Sequence, residues 1–173
     1  NGVDTIGGNV VAFETQTARV IMDFGINFAP ADSQPDDFLS NGILPALLDL
    51  FTDIAGDKQT AIFISHLHLD HMGALKYLMK VTPVYMTTES ATLYAELSRQ
   101  GLESAPNAQV QGIALNKDVQ IGDLTVRAFA TDHDIMGAVM FEVTDGQHRF
   151  VHSGDVRYDG WHPERVTVWR QYL

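Results

Sequence analysis

Residues 62–71 read IFISHLHLDH, and they join a short apolar run to three histidines and one aspartate within six positions. The apolar part predicts a short buried strand, so the polar side chains follow directly at the end of that strand. His66 and His68 stand two apart in extended chain, which directs both side chains to the same side, where they can bind one metal ion. Asp70 and His71 fall where a helix is predicted to begin, point elsewhere, and could serve a second ion. The spacing therefore predicts two metals.

A polar loop with incidental histidines is the alternative interpretation of this segment, and it would suffice for one isolated histidine. Desolvating three imidazoles and a carboxylate without a cation would be costly, which favours a metal site. Imidazole nitrogen and carboxylate oxygen suit Zn²⁺, Mn²⁺ or Fe²⁺, and ligand type alone does not select among these ions. The chain has no cysteine, which excludes a thiolate metal site, a disulfide framework and a cysteine nucleophile.

The composition describes one globular domain or part of a larger one. The chain has 173 residues, 45% of them hydrophobic, with 22 acidic and 11 basic side chains and a formal charge of -11. This balance argues against disorder and against non-specific binding of polyanions, although arginines become more frequent toward the C-terminal end. No run approaches the roughly 18 apolar residues of a membrane span. We expect a cytoplasmic protein without membrane contact, and association of identical chains stays open.

Strand-like and helix-like segments alternate over the first two thirds of the chain, and only strands are predicted after residue 109. The predicted strands are 10–13, 19–23, 61–64, 84–86, 110–115, 119–121, 124–130, 138–143 and 149–152. The predicted helices are 43–54, 72–80 and 88–100, and a long loop is predicted over 24–41. The first two strands form an opening hairpin. Strands and helices followed by a strand meander favour a sheet-rich α/β layer and not a parallel doubly wound fold.

Two later residues extend the candidate metal site. His133 directly follows the predicted strand 124–130, and Asp155 directly follows the predicted strand 149–152. Asp155 is a natural bridging carboxylate between two ions, and Gly154 permits a tight turn that brings the backbone close to the site. Each residue also has an ordinary interpretation, because histidine and aspartate at strand ends are common turn residues. The first motif needs further ligands, which favours the metal role for both.

The pattern His66-x-His68-x-Asp70-His71 resembles the HxHxDH signature of the metallo-β-lactamase superfamily, and the chain is most similar to its ribonuclease J-like, β-CASP-type branch. Other matching segments are Gly7-Gly8-Asn9, Asp23-Phe24-Gly25, Ser65, Gly73-Ala74 and His152-Ser153-Gly154-Asp155. The resemblance implies an α/β fold, the metallo-β-lactamase αββα sandwich. By position it assigns His66, His68 and His133 to the first metal, Asp70 and His71 to the second, and Asp155 to both. It also implies that Asp23 orients a ligand.

The chain departs from the family pattern in its last ligand. Family members supply one more histidine to the second metal from beyond the Asp155 strand, and β-CASP proteins do so only after an inserted domain. The candidates are His162 or a residue that this chain lacks, and we favour the latter because His162 follows Asp155 too closely. Residues 1–173 are then expected to form the N-terminal portion of the domain, without its C-terminal strands and helices or any β-CASP insertion. His148 and His152 are expected to face solvent or to pack within a strand.

These residues predict a metallohydrolase with two divalent ions, zinc first and manganese as the alternative. Two ions would lower the pKa of a bridging water, which would then attack an electrophilic centre without a covalent protein nucleophile. The ribonuclease J-like resemblance implies RNA as the substrate, with Asp70 as a catalytic proton handler as well as a ligand, and Ser65 as a buttress of the ligand loop. One alternative is a small-molecule hydrolase of the lactonase or thioesterase type. Another is a metal-binding module whose site is incomplete.

Overall fold

Two β-sheets lie at the centre of the structure. The structure is a computed structural model, and it describes residues 7–26 and 38–172. The strands are β1 (Val11–Glu14), β2 (Ala18–Met22), β3 (Gln59–Phe63), β4 (Thr82–Thr87), β5 (Ala108–Ile113), β6 (Asp118–Ile121), β7 (Leu124–Ala130), β8 (Val139–Thr144) and β9 (Arg149–His152). The helices are α1 (Leu48–Phe51), α2 (Leu69–Met72), a 3-10 turn (Leu75–Tyr77), α3 (Thr88–Arg99) and α4 (Pro163–Tyr172). None of the helices in the described ranges combines the length with the apolar composition that crossing a bilayer requires.

The two sheets differ in how their strands are paired. The first sheet has the order β1-β2-β3-β4-β5, in which β1 and β2 form an antiparallel hairpin and the later neighbours pair in parallel. The second sheet is an antiparallel meander in the order β6-β7-β8-β9. Gly122 and Gly146 occupy the turns β6–β7 and β8–β9 with positive φ angles of 57° and 87°, which glycine adopts without steric cost. The predicted hairpin and meander are confirmed.

Apolar side chains fill both faces of the first sheet. Alternate residues of β2 and β3, such as Val20 and Phe63, face the second sheet and pack against its Val126 and Phe141. The residues between them, such as Ile62, pack instead under the helices and loops on the opposite side. This burial on both faces explains the continuous apolar run of β3, because a parallel strand covered on both sides has no solvent-facing positions.

Helix α4 covers the outer face of the second sheet. The ring of Tyr172 lies 4.6 Å from that of Phe129, and its hydroxyl donates to a carboxylate oxygen of Glu142 at 3.3 Å. Helix α3 packs against β4 and β5 on the far side of the first sheet. The layers are therefore helix, sheet, sheet, helix, which is the αββα sandwich implied by the sequence resemblance.

Two helix predictions need correction, and one further helix has no counterpart among the predictions. The predicted helix over 43–54 is only the single turn α1, because Pro45 lacks an amide donor and disfavours helical backbone in the residue before it. The predicted helix over 72–80 begins earlier, within the histidine motif, and continues only as a 3-10 turn. Helix α4 was not predicted. Of the predicted loop 24–41, residues 27–37 lie outside the described residues.

Candidate metal centre

The candidate ligands lie on three loops that meet at one end of the sandwich. The segment from β3 into α2 carries His66, His68, Asp70 and His71, whereas the loop between β7 and β8 carries His133 and the segment after β9 carries Asp155. A hydrogen bond from the amide of Val139 to the carbonyl of Ser65, 3.0 Å long, joins the start of β8 to the first of these segments. Because the two sheets pack face to face, residues that are far apart in sequence come together at this end of the sandwich.

Three imidazoles form the first donor group. The Nδ1 atom of His68 lies 3.1 Å from Nε2 of His66 and 3.4 Å from Nε2 of His133. One donor atom from each of the three side chains lies within 4.8 Å of the others. Three converging imidazole nitrogens can hold one divalent cation, because imidazole is a common ligand of Zn²⁺, Mn²⁺ and Fe²⁺ alike.

A second donor group shares one residue with the first. His66, His71 and Asp155 also place donor atoms within 4.8 Å of one another. One oxygen of Asp155 lies 3.4 Å from Nε2 of His71, and its other oxygen lies 3.8 Å from Nε2 of His133. Asp70 lies at the edge of this group, with a carboxylate oxygen 3.4 Å from Nε2 of His71. The Asp155 carboxylate therefore lies between the two groups, with one oxygen toward each.

Asp23 anchors the back of the site from a fully buried position at the end of β2. Its carboxylate accepts hydrogen bonds from the amide and hydroxyl of Ser65 (2.7 and 2.9 Å), from Nδ1 of His71 (2.7 Å) and from Nε2 of His152 (2.7 Å). Burial by itself would raise the pKa of Asp23, but the hydrogen bonds from His152 and His71 bring that pKa well below its usual range. Asp23 is held in the left-handed backbone region, with φ of 58°. An ionised carboxylate is thus fixed behind the candidate ligands.

This network decides which imidazole nitrogens face the site. The single hydroxyl proton of Ser65 goes to Asp23, so its oxygen accepts from Nδ1–H of His66 at 3.0 Å. His71 likewise donates its Nδ1–H to Asp23, and in the neutral ring its Nε2 accepts from the side-chain amide of Asn9 at 3.1 Å. Both residues therefore turn Nε2 toward the candidate ligand groups, and in the neutral imidazole this is the unprotonated nitrogen, which can bind a metal.

The protonation behaviour of the histidines differs across the site. Burial, followed by the charge of His71, lowers the pKa of His66 to about 3. Burial also lowers the pKa of His133. Burial disfavours the charged form of His71 as well, but its hydrogen bond to Asp23 raises its pKa overall. The first donor group therefore includes two imidazoles that are neutral at neutral pH, as metal ligation requires, and the donor set fits a divalent cation.

Comparison with known proteins agrees with this fold. The family described as Beta-lactamase superfamily domain matches residues 37–168, which is more than half of the chain. The chain belongs to the beta-lactamase superfamily. Its structure is similar to that of the metallo-β-lactamase fold protein YhfI from Bacillus subtilis, with a TM-score of 0.58 and 18% identity over 88% of this chain and 56% of that one. At this identity the likeness shows the fold.

Two further proteins are more similar in sequence. Ribonuclease J from Mycolicibacterium smegmatis is 28% identical over 158 residues, which cover 91% of this chain and 27% of that protein. A protein of unknown function from Enterococcus faecalis V583 has a TM-score of 0.86 and 29% identity, over 99% of this chain and 46% of its own. The chain thus spans about a quarter of the length of the ribonuclease J that it matches.

The sequence analysis did not identify three residues of the candidate site. His152 does not face solvent or only pack within its strand, because it donates to Asp23 across 129 positions of sequence. Asn9 contacts both Asp70 and His71, at 3.5 and 3.1 Å. Asp134 lies 3.2 Å from Nε2 of His133, and its position next to that histidine was the one available signal.

Two other histidines lie apart from the donor groups of the described residues. His162 is exposed, with Nδ1 3.0 Å from a carboxylate oxygen of Glu164, and neither donor group contains it. His148 is exposed on the β8–β9 turn, 3.0 Å from Asp145. The identity of the last ligand therefore stays a prediction.

Proposed function

We propose that the protein carrying this chain is a metal-dependent hydrolase, and that its substrate is an RNA phosphodiester. The observation that carries the proposal is the Asp155 carboxylate, which presents one oxygen toward His71 and the other toward His133. A carboxylate between two imidazole groups suits two neighbouring cations, and its negative charge would offset their mutual repulsion. The assignment of residues 1–173 to one metallo-β-lactamase domain is part of this proposal.

The proposed ligands divide into two sets. His66, His68 and His133 would hold one ion, Asp70 and His71 the other, and Asp155 both. When bound, two divalent ions, zinc or manganese, supply Lewis acidity and a water of lowered pKa. The protein itself offers no covalent nucleophile at this site among its described residues, because the hydroxyl of Ser65 is buried and donates to Asp23.

Asp70 is the proposed proton handler. Its side chain is 29% exposed, so one carboxylate oxygen can reach a proton from attacking water and pass it toward the leaving oxygen. Asn9 donates to the same carboxylate at 3.5 Å and limits its rotation. Asp23 acts on the reaction through His71, because its ionised carboxylate keeps that imidazole oriented with Nε2 toward the site.

RNA is the substrate favoured by the similarity to ribonuclease J. A cytoplasmic location, where RNA is abundant, belongs to the same proposal. The formal charge of -11 favours the second candidate, a small-molecule hydrolase of the lactonase or thioesterase type, because phosphate-backbone binding depends on clustered cations. Near the site, Arg157 pairs with Asp134 at 2.7 Å, so the charge of this arginine is balanced within the pair.

The test uses the whole protein that carries this chain, freed of metal by chelation and reloaded with zinc or manganese. Substrates are an end-labelled RNA oligonucleotide, the same sequence as DNA, a lactone and a thioester. We expect metal-dependent cleavage of RNA, which Asp155→Asn lowers at least about a hundredfold, because even residues that only orient metal ligands change activity 10–100-fold. Asp57→Asn, at an exposed loop position, is the matched control.

Two results would contradict the proposal in different ways. Unchanged turnover and unchanged metal content in Asp155→Asn would remove the proposed metal centre. Metal-dependent hydrolysis of the lactone or thioester without cleavage of either nucleic acid would keep the metal centre and replace the substrate.

A further inference from the structure

A cavity of about 430 Å³ opens directly beside the candidate metal centre. It is formed by the β7–β8 loop, the segment before α4 and the start of α3, and His133 lines it as well as belonging to the first donor group. Cavities of this size, lined by both apolar and polar side chains, are typical of small-molecule sites. A ligand in the cavity would therefore lie next to whatever is bound at the metal centre.

The walls of this cavity expose apolar side chains to an unusual degree. Trp161 lines it and is 87% exposed, although tryptophan is among the more buried residue types on average. Met136 is 60% exposed on the β7–β8 loop, and Ile135 and Leu115 extend the same apolar surface. Exposed apolar surface gathered at one place, beside a polar site, marks a binding surface.

Hydrogen bonds fix the backbone that carries Trp161. The buried carboxylate of Asp132 accepts from the amide of His162 at 2.7 Å, and its backbone carbonyl accepts from the amide of Arg157 at 2.7 Å. Gly160 packs so closely on this carboxylate that an added Cβ would lie 2.5 Å from it. The backbone on both sides of Trp161 is thus tied to the end of β7, next to His133.

The opposite wall is held in the same manner. The carbonyl of Gly137 accepts from the hydroxyls of Thr87 and Ser90 at the start of α3, at 3.0 and 3.3 Å. Gly137 has a φ of 78°, and a Cβ there would lie 2.4 Å from the Ser90 hydroxyl. The backbone of both walls is therefore held in place before a ligand arrives, which lowers the entropic cost of binding.

We propose that this cavity binds the nucleobase of a nucleotide adjacent to the phosphodiester at the metal centre, with Trp161 as the stacking platform. The inference rests on the proposed function and adds a base subsite to it. A flat aromatic ligand matches an exposed indole, and every nucleobase has a face that can stack on it. Arg165 and Glu89 line the same cavity and offer a donor and an acceptor to the polar edges of a base.

The first experiment compares RNA oligonucleotides with and without a base beside the cleavage site, using the whole protein loaded with metal. An abasic ribose is placed in turn on each side of the bond that is cut. Trp161→Ala is expected to raise the KM for intact RNA about tenfold, and to bind intact and abasic RNA equally well. Trp161→Phe keeps an aromatic face and should recover most of the loss.

Tyr158→Ala is the matched control, because Tyr158 is an exposed aromatic residue on the same segment that does not line the cavity. Its KM for RNA should equal that of the wild type. Equal KM values for Trp161→Ala and wild type on intact RNA would overturn the base subsite while leaving the hydrolase proposal in place.

The second experiment measures binding without catalysis. Adenosine 5′-monophosphate is titrated into the whole protein in excess chelator, and tryptophan fluorescence is recorded. Stacking on Trp161 predicts quenching that Trp161→Phe abolishes, whereas Tyr158→Ala retains it. Quenching by the nucleotide in a protein that fails to cleave RNA would support the subsite and reject the proposed function. No quenching in the wild type would overturn the subsite.

Discussion

Asp23 is the residue on which the orientation of the candidate ligands depends. It receives one hydrogen bond each from His71 and His152 and two from Ser65, all within 2.9 Å. Buried polar groups are stable only when they are satisfied in this way. Because Ser65 also contacts His66, one carboxylate sets the ring orientation in both donor groups.

His152 is predicted to support metal affinity through Asp23. His152→Ala removes one donor to the buried carboxylate and should weaken zinc binding about 10–100-fold, the usual range for residues that hold metal ligands. His152→Gln places an amide donor near the position of Nε2 and should recover part of that affinity. Competition with a chromophoric chelator measures both, with His148→Ala as the exposed control. Equal zinc affinity in His152→Ala and wild type would show that the contact has no such role.

His66 is predicted to make the metal-free protein less stable in acid. Its pKa is lowered to about 3 by burial, whereas an unfolded histidine has a pKa of about 6.5, so the unfolded state binds more protons between these values. The free energy of unfolding should therefore fall as the pH drops from about 6.5 toward 3. Urea unfolding in chelator should show a shallower pH dependence for His66→Gln than for wild type. The control His148→Gln, at an exposed histidine, should keep the wild-type pH dependence of the unfolding free energy. If His66→Gln keeps it as well, the prediction is wrong.

At the scale of elements, the histidine motif is held by the segment that follows β2. The amide of Phe24 donates to the carbonyl of His71, and that of Ala74 donates to the carbonyl of Phe24, at 2.6 and 2.9 Å. Asn9 joins the same arrangement, since its amide donates to the carbonyl of Asp70 and its carbonyl accepts from Gly25. The close approach of three backbone segments leaves no space for a side chain at Gly25.

Gly25→Ala is predicted to destabilise the fold for a steric reason. The added Cβ would lie 1.7 Å from the carbonyl oxygen of Asp70, so backbone must move, and we expect a loss of about 3 kcal/mol in the free energy of unfolding. Gly101→Ala is the comparison, because its φ of 73° strains an alanine but nothing lies within 4 Å of the added atom. That variant should lose only about 1 kcal/mol. Equal losses in urea unfolding would contradict the steric explanation.

At the scale of the whole molecule, the candidate ligands converge only when the two sheets are stacked. His66 follows β3 of the first sheet, whereas His133 and Asp155 follow β7 and β9 of the second. An unfolded chain would present these donors far apart, so a metal that they bind stabilises the folded state by mass action.

Zinc is therefore predicted to stabilise the folded protein, with free zinc at a hundred times its dissociation constant contributing about 2.7 kcal/mol. Thermal unfolding should occur at a higher Tm with zinc than in chelator. Asp155→Asn should reduce this difference, while Asp57→Asn keeps it. A Tm that does not depend on zinc would count against the site, even if the protein hydrolysed a substrate.

The sequence by itself predicted most of the strands and the residues proposed as metal ligands, and its resemblance to the metallo-β-lactamase superfamily implied the sandwich class. Strand periodicity is local, and the motif from His66 to His71 occupies consecutive positions, so short-range patterns were enough to find both. Helix α4 was not predicted because its apolar contacts, such as Tyr172 on Phe129, are spread over one face of a mostly polar segment. The predicted helix over 43–54 was too long because Pro45 disfavours helical backbone in the residue before it. The predicted helix over 72–80 began too late because α2 begins within the histidine motif.

Only the tertiary structure decided how these residues meet. The contact between His152 and Asp23 spans 129 positions, and the cavity beside Trp161 is built from three separate segments. Such pairings depend on sheet stacking and loop closure, which no local pattern encodes. The sequence therefore named the candidate ligands, whereas the packing of the two sheets decided which of their atoms face one another and what lies beside them.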